Sequence, residues 1–374
     1  MARTGGGVPH PLDEYPVHQA PLSMRQVASS DRNFYDRSYF NAHDRTGELF
    51  LITGLGVYPN LGVTDAYATV RKGGRQWVVR FSDALGDDRL GQRIGPYRIE
   101  VQEPLQKVRI VCDADDHGIA FDLAWEGSFP AVDEPRHVVL AGDRVTLDGC
   151  RFAQVGTWSG DLRVDGQDIG VDPTVWVGTR DRSWGIRPVG EPEPPGRTAE
   201  AAPGGFWWLY VPLRFDDFAV VVIVQEKADG TRTLNEAVRV WADGRHEQLG
   251  WPEVDITYRP GTRHPERARI GLRAPGGRSL TLEVDAIGYA ALFPAGYGAM
   301  GEEWRHGQWM GRNWIDAHVY DLADPAVTGR LAFGVVDHVG RARLDGAEGW
   351  GLFEHATIGR HDPSGFSDLS SVAP

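Results

Sequence analysis

Ala66-Tyr67-Ala68-Thr69-Val70-Arg71-Lys72-Gly73-Gly74-Arg75-Gln76-Trp77-Val78-Val79-Arg80-Phe81 is the stretch that decides the fold class. Two runs rich in aromatic and β-branched residues flank a Gly-Gly pair. Glycine takes left-handed backbone without a steric cost, so Gly-Gly is a favoured two-residue hairpin turn. The stretch therefore predicts two antiparallel strands. Upstream, Leu49-Phe50-Leu51-Ile52 is a short apolar run that Gly54 and Gly56 are expected to close. Downstream, residues 97–101, 107–112, 119–125, 143–147, 152–158 and 161–164 form short, mostly alternating runs broken by Gly, Asp and Pro. Strands at this spacing mark an antiparallel sandwich or barrel.

The pattern returns in the second half. Phe206-Trp207-Trp208-Leu209-Tyr210-Val211 opens it, and residues 219–225 are apolar up to the closing Gln225, as expected of a strand buried on both faces. Between the halves, Glu191-Pro192-Glu193-Pro194-Pro195-Gly196 fits neither a helix nor a strand interior. The expected organisation is all-β, with two consecutive antiparallel barrel or sandwich domains. An N-terminal extension covers 1–30, the first domain 31–190, a linker or exposed loop 191–205, and the second domain 206–374. No long amphipathic helix is evident.

Composition narrows the function classes. The 374 residues carry a formal charge of −13, and no basic stripe interleaved with aromatics occurs, which argues against nucleic acid and anionic membranes as partners. The 47 Gly and 24 Pro are spread along the chain and suit many turns. The only cysteines, Cys112 and Cys150, form no CxxC motif. No apolar N-terminal leader and no run of 18 apolar residues is present, so a soluble cytoplasmic protein without a membrane span is expected. There is no GxSxG and no P-loop, and Gly54-x-Gly56 lacks the third glycine and the helix of a dinucleotide fingerprint, which disfavours hydrolase-elbow, nicotinamide and nucleotide chemistry. Neither a metal nor a cofactor is expected.

Four runs carry candidate chemistry. Val177-Gly178-Thr179-Arg180-Asp181-Arg182-Ser183-Trp184-Gly185-Ile186-Arg187 gathers charge and a tryptophan at one strand. Alternation places Trp176, Gly178, Arg180, Arg182 and Trp184 on one face and Val177, Thr179, Asp181 and Ser183 on the other. Asp181 is either a general acid in an aromatic pocket, with Arg182 and Arg187 holding it, or half of an ion pair bracing a domain junction. The segment from Glu302 to His318 holds Trp304, His306, Trp309, Trp314 and Asp316, with Tyr297 just before it. Aromatic faces stabilise a developing cation, and an acid or imidazolium beside them supplies a proton. The same residues also suit a Trp-rich core with solvated charges. Tyr58 and Asn60 near Asp65 and Tyr67 read as a pocket edge or a strand-end turn. Glu354-His355 and His361-Asp362 have no metal-ligand spacing.

The runs Tyr39-Phe40-Asn41-Ala42-His43-Asp44, Gly54-Leu55-Gly56-Val57-Tyr58-Pro59-Asn60, Asp181-Arg182-Ser183-Trp184-Gly185 and Gly359-Arg360-His361-Asp362-Pro363-Ser364-Gly365-Phe366 carry a resemblance. They resemble an uncharacterised bacterial family distantly similar to the AttH-like and carotenoid 1,2-hydratase (hydroxyneurosporene synthase) group. The resemblance implies two lipocalin-like β domains. In the wider group such proteins hydrate isoprenoid double bonds, and more distant relatives with the same plan include cyclases of polyenes. It carries no catalytic residue over, because the hydratase motif is not matched residue by residue. Fold alone does not fix chemistry.

Together these readings give a cofactor-independent enzyme acting on an isoprenoid, polyene or steroid-like small molecule. The expected reaction is acid–base hydration of an alkene, or a related elimination or cyclisation. Candidate acids are Asp181, Glu302, His306, Asp316 and His318. Candidate substrate contacts are Tyr58, Asn60, Arg182, Trp184, Arg187, Tyr297, Trp304, Trp309 and Trp314. The alternative is a non-catalytic lipocalin-like carrier of hydrophobic molecules. A buried acid or histidine reaching the cavity distinguishes the two.

Overall fold

The computed structural model describes residues 9–141, 143–190, 205–298, 304–331 and 334–374. Glu302 and nearly all of the 191–205 linker lie outside the described residues. Two antiparallel sheets of 14 and 9 strands make up the molecule, each curled as a half-barrel in a double lipocalin-like arrangement. Among the described residues the α-helix is a single short one, Pro325–Leu331.

The hairpin read from the sequence is Val63–Lys72 paired with Arg75–Ala84, closed at Lys72–Arg75 around Gly73-Gly74. The neighbouring strand, Leu49–Tyr58, runs straight through Gly54 and Gly56 instead of ending there. A Cβ on Gly54 would lie 2.4 Å from the Ser38 carbonyl oxygen, and one on Gly56 would meet the Tyr58 hydroxyl at 2.4 Å and Arg37 Cγ at 2.9 Å. These glycines make room for a neighbouring strand and for large side chains, a use of strand glycine that sequence alone does not separate from a turn. Residues 143–164 likewise join into one long strand, Arg144–Val164, whose Gly160 takes φ of +130°.

Three apolar layers explain the sequence pattern. Leu49, Leu51, Leu55, Ala66, Ala68 and Val70 fill the first half-barrel. Leu209, Val211, Val220, Val222 and Val224 fill the second. The alternate residues of the same strands, among them Phe50, Ile52, Tyr67, Tyr210, Val221 and Ile223, form a third core between the two sheets. The run 219–224 is continuously apolar because one set of its side chains faces its own barrel and the other faces the partner sheet. Trp314–Asp321 crosses from the second half of the chain and pairs with Arg75–Ala84 at the edge of the first sheet.

Candidate active site

A cavity of about 370 Å³ opens in the layer between the sheets. β-ladder register decides what faces it, because residues directly opposite on adjacent strands point to the same side. In the first sheet, Tyr39, Asp181 and Ala153 form one such row, and Arg37, Ser183 and Arg151 form the next. In the second sheet the corresponding row is Ile223, Tyr210, Glu354 and Asp337. Arg37, Tyr39, Arg151, Asp181, Trp208, Glu354, Tyr297 and His306 all line the cavity.

Two raised carboxyls, Asp181 and Glu354, line it, and a third, Asp337, is buried beside Glu354. Asp181 is pushed up to about 7 by burial, with Glu134 and Glu354 adding to the rise and Arg151 and Arg37 opposing it. No described residue hydrogen-bonds the Asp181 carboxyl, which faces the cavity. Glu354 is also raised, first by burial, although the Trp208 indole donates to its Oε1 at 2.8 Å. Asp337 is fully buried and held well above the usual carboxylate range by burial and by Glu354. Tyr39 Oη donates to Asp337 Oδ2 at 2.5 Å and so links the two sheets. Carboxyls grouped this closely in a poorly solvated layer cannot all be ionised.

The cations divide into two kinds. Arg151 donates to Glu134 Oε2 at 2.6 Å and lies over the Tyr210 ring at 4.4 Å and the Trp208 ring at 5.2 Å. Arg37 donates to the Tyr297 hydroxyl at 3.2 Å, and Arg187 sits over the Tyr35 ring at 5.6 Å. Neither Arg37 nor Arg187 has a carboxylate partner among the described residues.

His306 supplies a different group. Burial, with Arg37 nearby, lowers it to about 4, so its imidazole is neutral at ordinary pH. Neither ring nitrogen has a hydrogen-bond partner among the described residues, and Nδ1 lies 3.7 Å from Asp65 Oδ1. Asp65 is itself fixed by the Gly307 amide at 2.6 Å and the Tyr58 hydroxyl at 3.1 Å. The imidazole is walled by the rings of Tyr297, Trp304 and Tyr67, at centroid distances of 4.7, 5.1 and 5.3 Å.

The residues singled out in the sequence are thus distributed. Asp181, Arg187, Tyr297 and His306 line the cavity. Trp304 is buried behind His306, Trp314 packs at the intersheet core, and Tyr58 anchors Asp65 from beneath. The others are placed away from it. Arg182 points to the opposite face of its strand and pairs with Asp36 at 3.0 Å. Its neighbour Trp184, also on that face, is exposed, as is Trp309. Asn60 donates to the Ser29 and Asp31 carbonyls, which makes it a tether for the N-terminal segment. Asp316 pairs with Arg80 at 2.5 Å and with His318 at 3.1 Å on the edge strand. The strand pleat explains Arg182 and Trp184, because it sends them to the face opposite Asp181 and Ser183.

Arg37, Tyr39, Glu134, Arg151, Trp208 and Asp337 escaped the sequence reading. One signal was available: Tyr35, Arg37, Tyr39, Asn41 and His43 share one face of the strand Phe34–His43, opposite Phe40 and Ala42. A polar and aromatic face on a buried strand needs partners, and here the cavity and the second sheet provide them. Among the described residues no group of three or more His, Cys, Asp or Glu is arranged to hold a metal. Glu354 faces the cavity, whereas His355 turns to the Tyr258 hydroxyl at 3.1 Å. Cys112 and Cys150 are both free thiols. No described helix is long and apolar enough to cross a membrane.

Fold and site together define a double lipocalin-like protein with an ionisable cavity between its two sheets. The chain belongs to the family of unknown function DUF8625, whose model its residues 10–367 match. No curated protein matches it in sequence. Among solved structures, a putative AttH from Nitrosomonas europaea is similar with a TM-score of 0.52 and 14% identity, over 90% of this chain and 98% of that one. Kievitone hydratase from Nectria haematococca has a TM-score of 0.49 at 13% identity, over 86% of this chain and 88% of that one. CghA has a TM-score of 0.49 at 13% identity, over 87% and 88%. The distant similarity to AttH-like proteins is one of fold.

Proposed function

We propose that the chain is an acid–base enzyme that adds water to, or removes it from, a carbon–carbon double bond of a small molecule with an apolar body. Asp181 carries the reading: a carboxyl facing the cavity, without a hydrogen-bond partner among the described residues, and pushed up to about 7. A carboxylic acid protonated near neutrality is matched to proton donation, and a site that only stored ligand has no use for its cost. In the hydration direction the Asp181 proton passes to one alkene carbon. The π electrons form that C–H bond and leave positive charge on the other carbon. The π faces of Tyr35, Trp208 and Tyr297, which line the cavity, favour such charge. Water oxygen bonds to the cationic carbon and releases a proton to neutral His306, which Asp65 orients. Reprotonation of Asp181 and deprotonation of His306 by solvent complete the cycle. Dehydration is the reverse, and ring closure uses the same acid when an internal alkene replaces water.

This chemistry needs only water and the side chains named. An isoprenoid or polyene body suits the aromatic walls. A carrier needs a polar rim rather than an unpaired acid, so Asp181 favours the enzyme over that alternative. The test is to extract the small molecule that co-purifies with the chain, identify it by mass spectrometry, and return it to fresh enzyme. The expected result is gain or loss of one water, or an isomer of equal mass, with the wild type and not with Asp181→Asn. An unchanged ligand, or equal turnover by both proteins, would overturn the reading.

A further inference from the structure

The chain is strongly acidic overall, at −13, yet one end of its cavity is basic. Arg37 and Arg187 lie 5.7 and 5.6 Å from the centroid of the same ring, Tyr35, and both line the cavity. Arg37 is 8% exposed, and its guanidinium donates to a neutral hydroxyl, that of Tyr297. The Arg187 guanidinium makes no hydrogen bond or ion pair with any described residue. Two guanidiniums without a carboxylate are expensive in a poorly solvated space and repel each other. Burial and the charge of Arg37 accordingly lower the Arg187 pKa.

The acids of the cavity do not relieve them. Glu134 is committed to Arg151 at 2.6 Å. Asp181 and Glu354 are both held toward the protonated form. Arg305, also on the wall, donates to the Gly190 carbonyl. Among the described residues, no carboxylate therefore cancels the charge of Arg37 and Arg187.

We propose that the Arg37–Arg187 corner binds a delocalised oxyanion on the substrate, such as a carboxylate or an acidic enol. Planar guanidiniums match such groups with paired N–H donors. The corner would fix the end of the substrate away from the reacting double bond, and a neutral hydrocarbon would be a poor ligand. The inference rests on the cavity being the ligand site, as proposed above, and adds the chemical class of the group bound there.

The test uses two ring systems of equal shape, 2-naphthoate and 2-naphthamide, titrated calorimetrically into the wild type, Arg187→Gln, Arg187→Lys and Arg37→Gln. Thermal melting checks that each variant is folded. The wild type is expected to bind the naphthoate at least about tenfold tighter than the amide, as a charge-assisted pair would give. Arg187→Gln should remove most of that preference by weakening the naphthoate alone, and Arg187→Lys should restore part of it. Equal affinity of the wild type for both probes would overturn the anion corner while leaving the cavity as a ligand site. A naphthoate preference that survives in both glutamine variants would overturn it as well. Failure of both probes to bind the wild type would count against the ligand site itself.

Discussion

Asp181→Asn separates a catalytic acid from a structural brace through stability alone. The Asp181 pKa is about 7 in the folded chain against an ordinary 3.8, chiefly because of burial. That gap corresponds to about 4 kcal/mol of disfavour for the ionised form. The folded state holds the proton more tightly than the unfolded state, so wild-type stability from this residue declines as pH rises from 3.8 to 7 and stays reduced above that. Asparagine is close in shape and carries no charge. Relative to the wild type, Asp181→Asn should therefore gain nothing below pH 4 and about 2–4 kcal/mol at pH 8, the lower bound allowing for solvent in the cavity. Urea unfolding of both proteins at pH 4, 6 and 8 measures this difference directly. If the variant is less stable than the wild type at pH 8, Asp181 is the ionised partner of an arginine and the acid assignment falls.

Other consequences can be measured independently. Arg151→Gln strands Glu134, whose side chain is 3% exposed, and should cost about 3 kcal/mol in denaturant unfolding; the double change Arg151→Met, Glu134→Leu should recover most of it. Turnover of an identified substrate should rise as pH climbs through about 4, where His306 loses its proton, and fall through about 7, where Asp181 loses its own. Trp208→Phe removes the 2.8 Å bond to Glu354 and should cost about 1–3 kcal/mol, read by thermal or chemical unfolding. Gly178→Ala should cost about 3 kcal/mol or more, because a Cβ there would lie 1.9 Å from the Asn41 carbonyl oxygen.

Much of the fold is legible in single strands. The Gly73-Gly74 hairpin and the strand of the continuous apolar run 219–224 each follow from local pattern. Gly54 and Gly56 misled because glycine in a strand and glycine in a turn look alike in sequence. Pleat alternation also divides Asp181 and Ser183 from Arg182 and Trp184, as the 177–187 run predicts. The partners of Asp181 were not legible. Glu354 lies 173 positions away in the chain and Arg151 lies on the adjacent strand, opposite Ser183, and nothing local ties them to it. The 302–318 segment drew attention by its composition, yet it divides three ways. His306 enters the cavity, Trp304 backs it, and Asp316 and His318 lie on an outer strand that completes the other sheet.

The sequence by itself determined that this chain forms antiparallel sheets, where many of its strands and turns fall, and that Asp181 stands apart from its flanking arginines. Those features depend on side-chain alternation and turn chemistry, which act over a few residues. Tertiary structure decided that the candidate cavity sits between the sheets rather than inside a barrel. It also raised Asp181, neutralised His306 and left Arg37 and Arg187 without a counter-charge among the described residues. Each of these depends on desolvation and on charges brought together by packing, and neither exists until the two sheets meet.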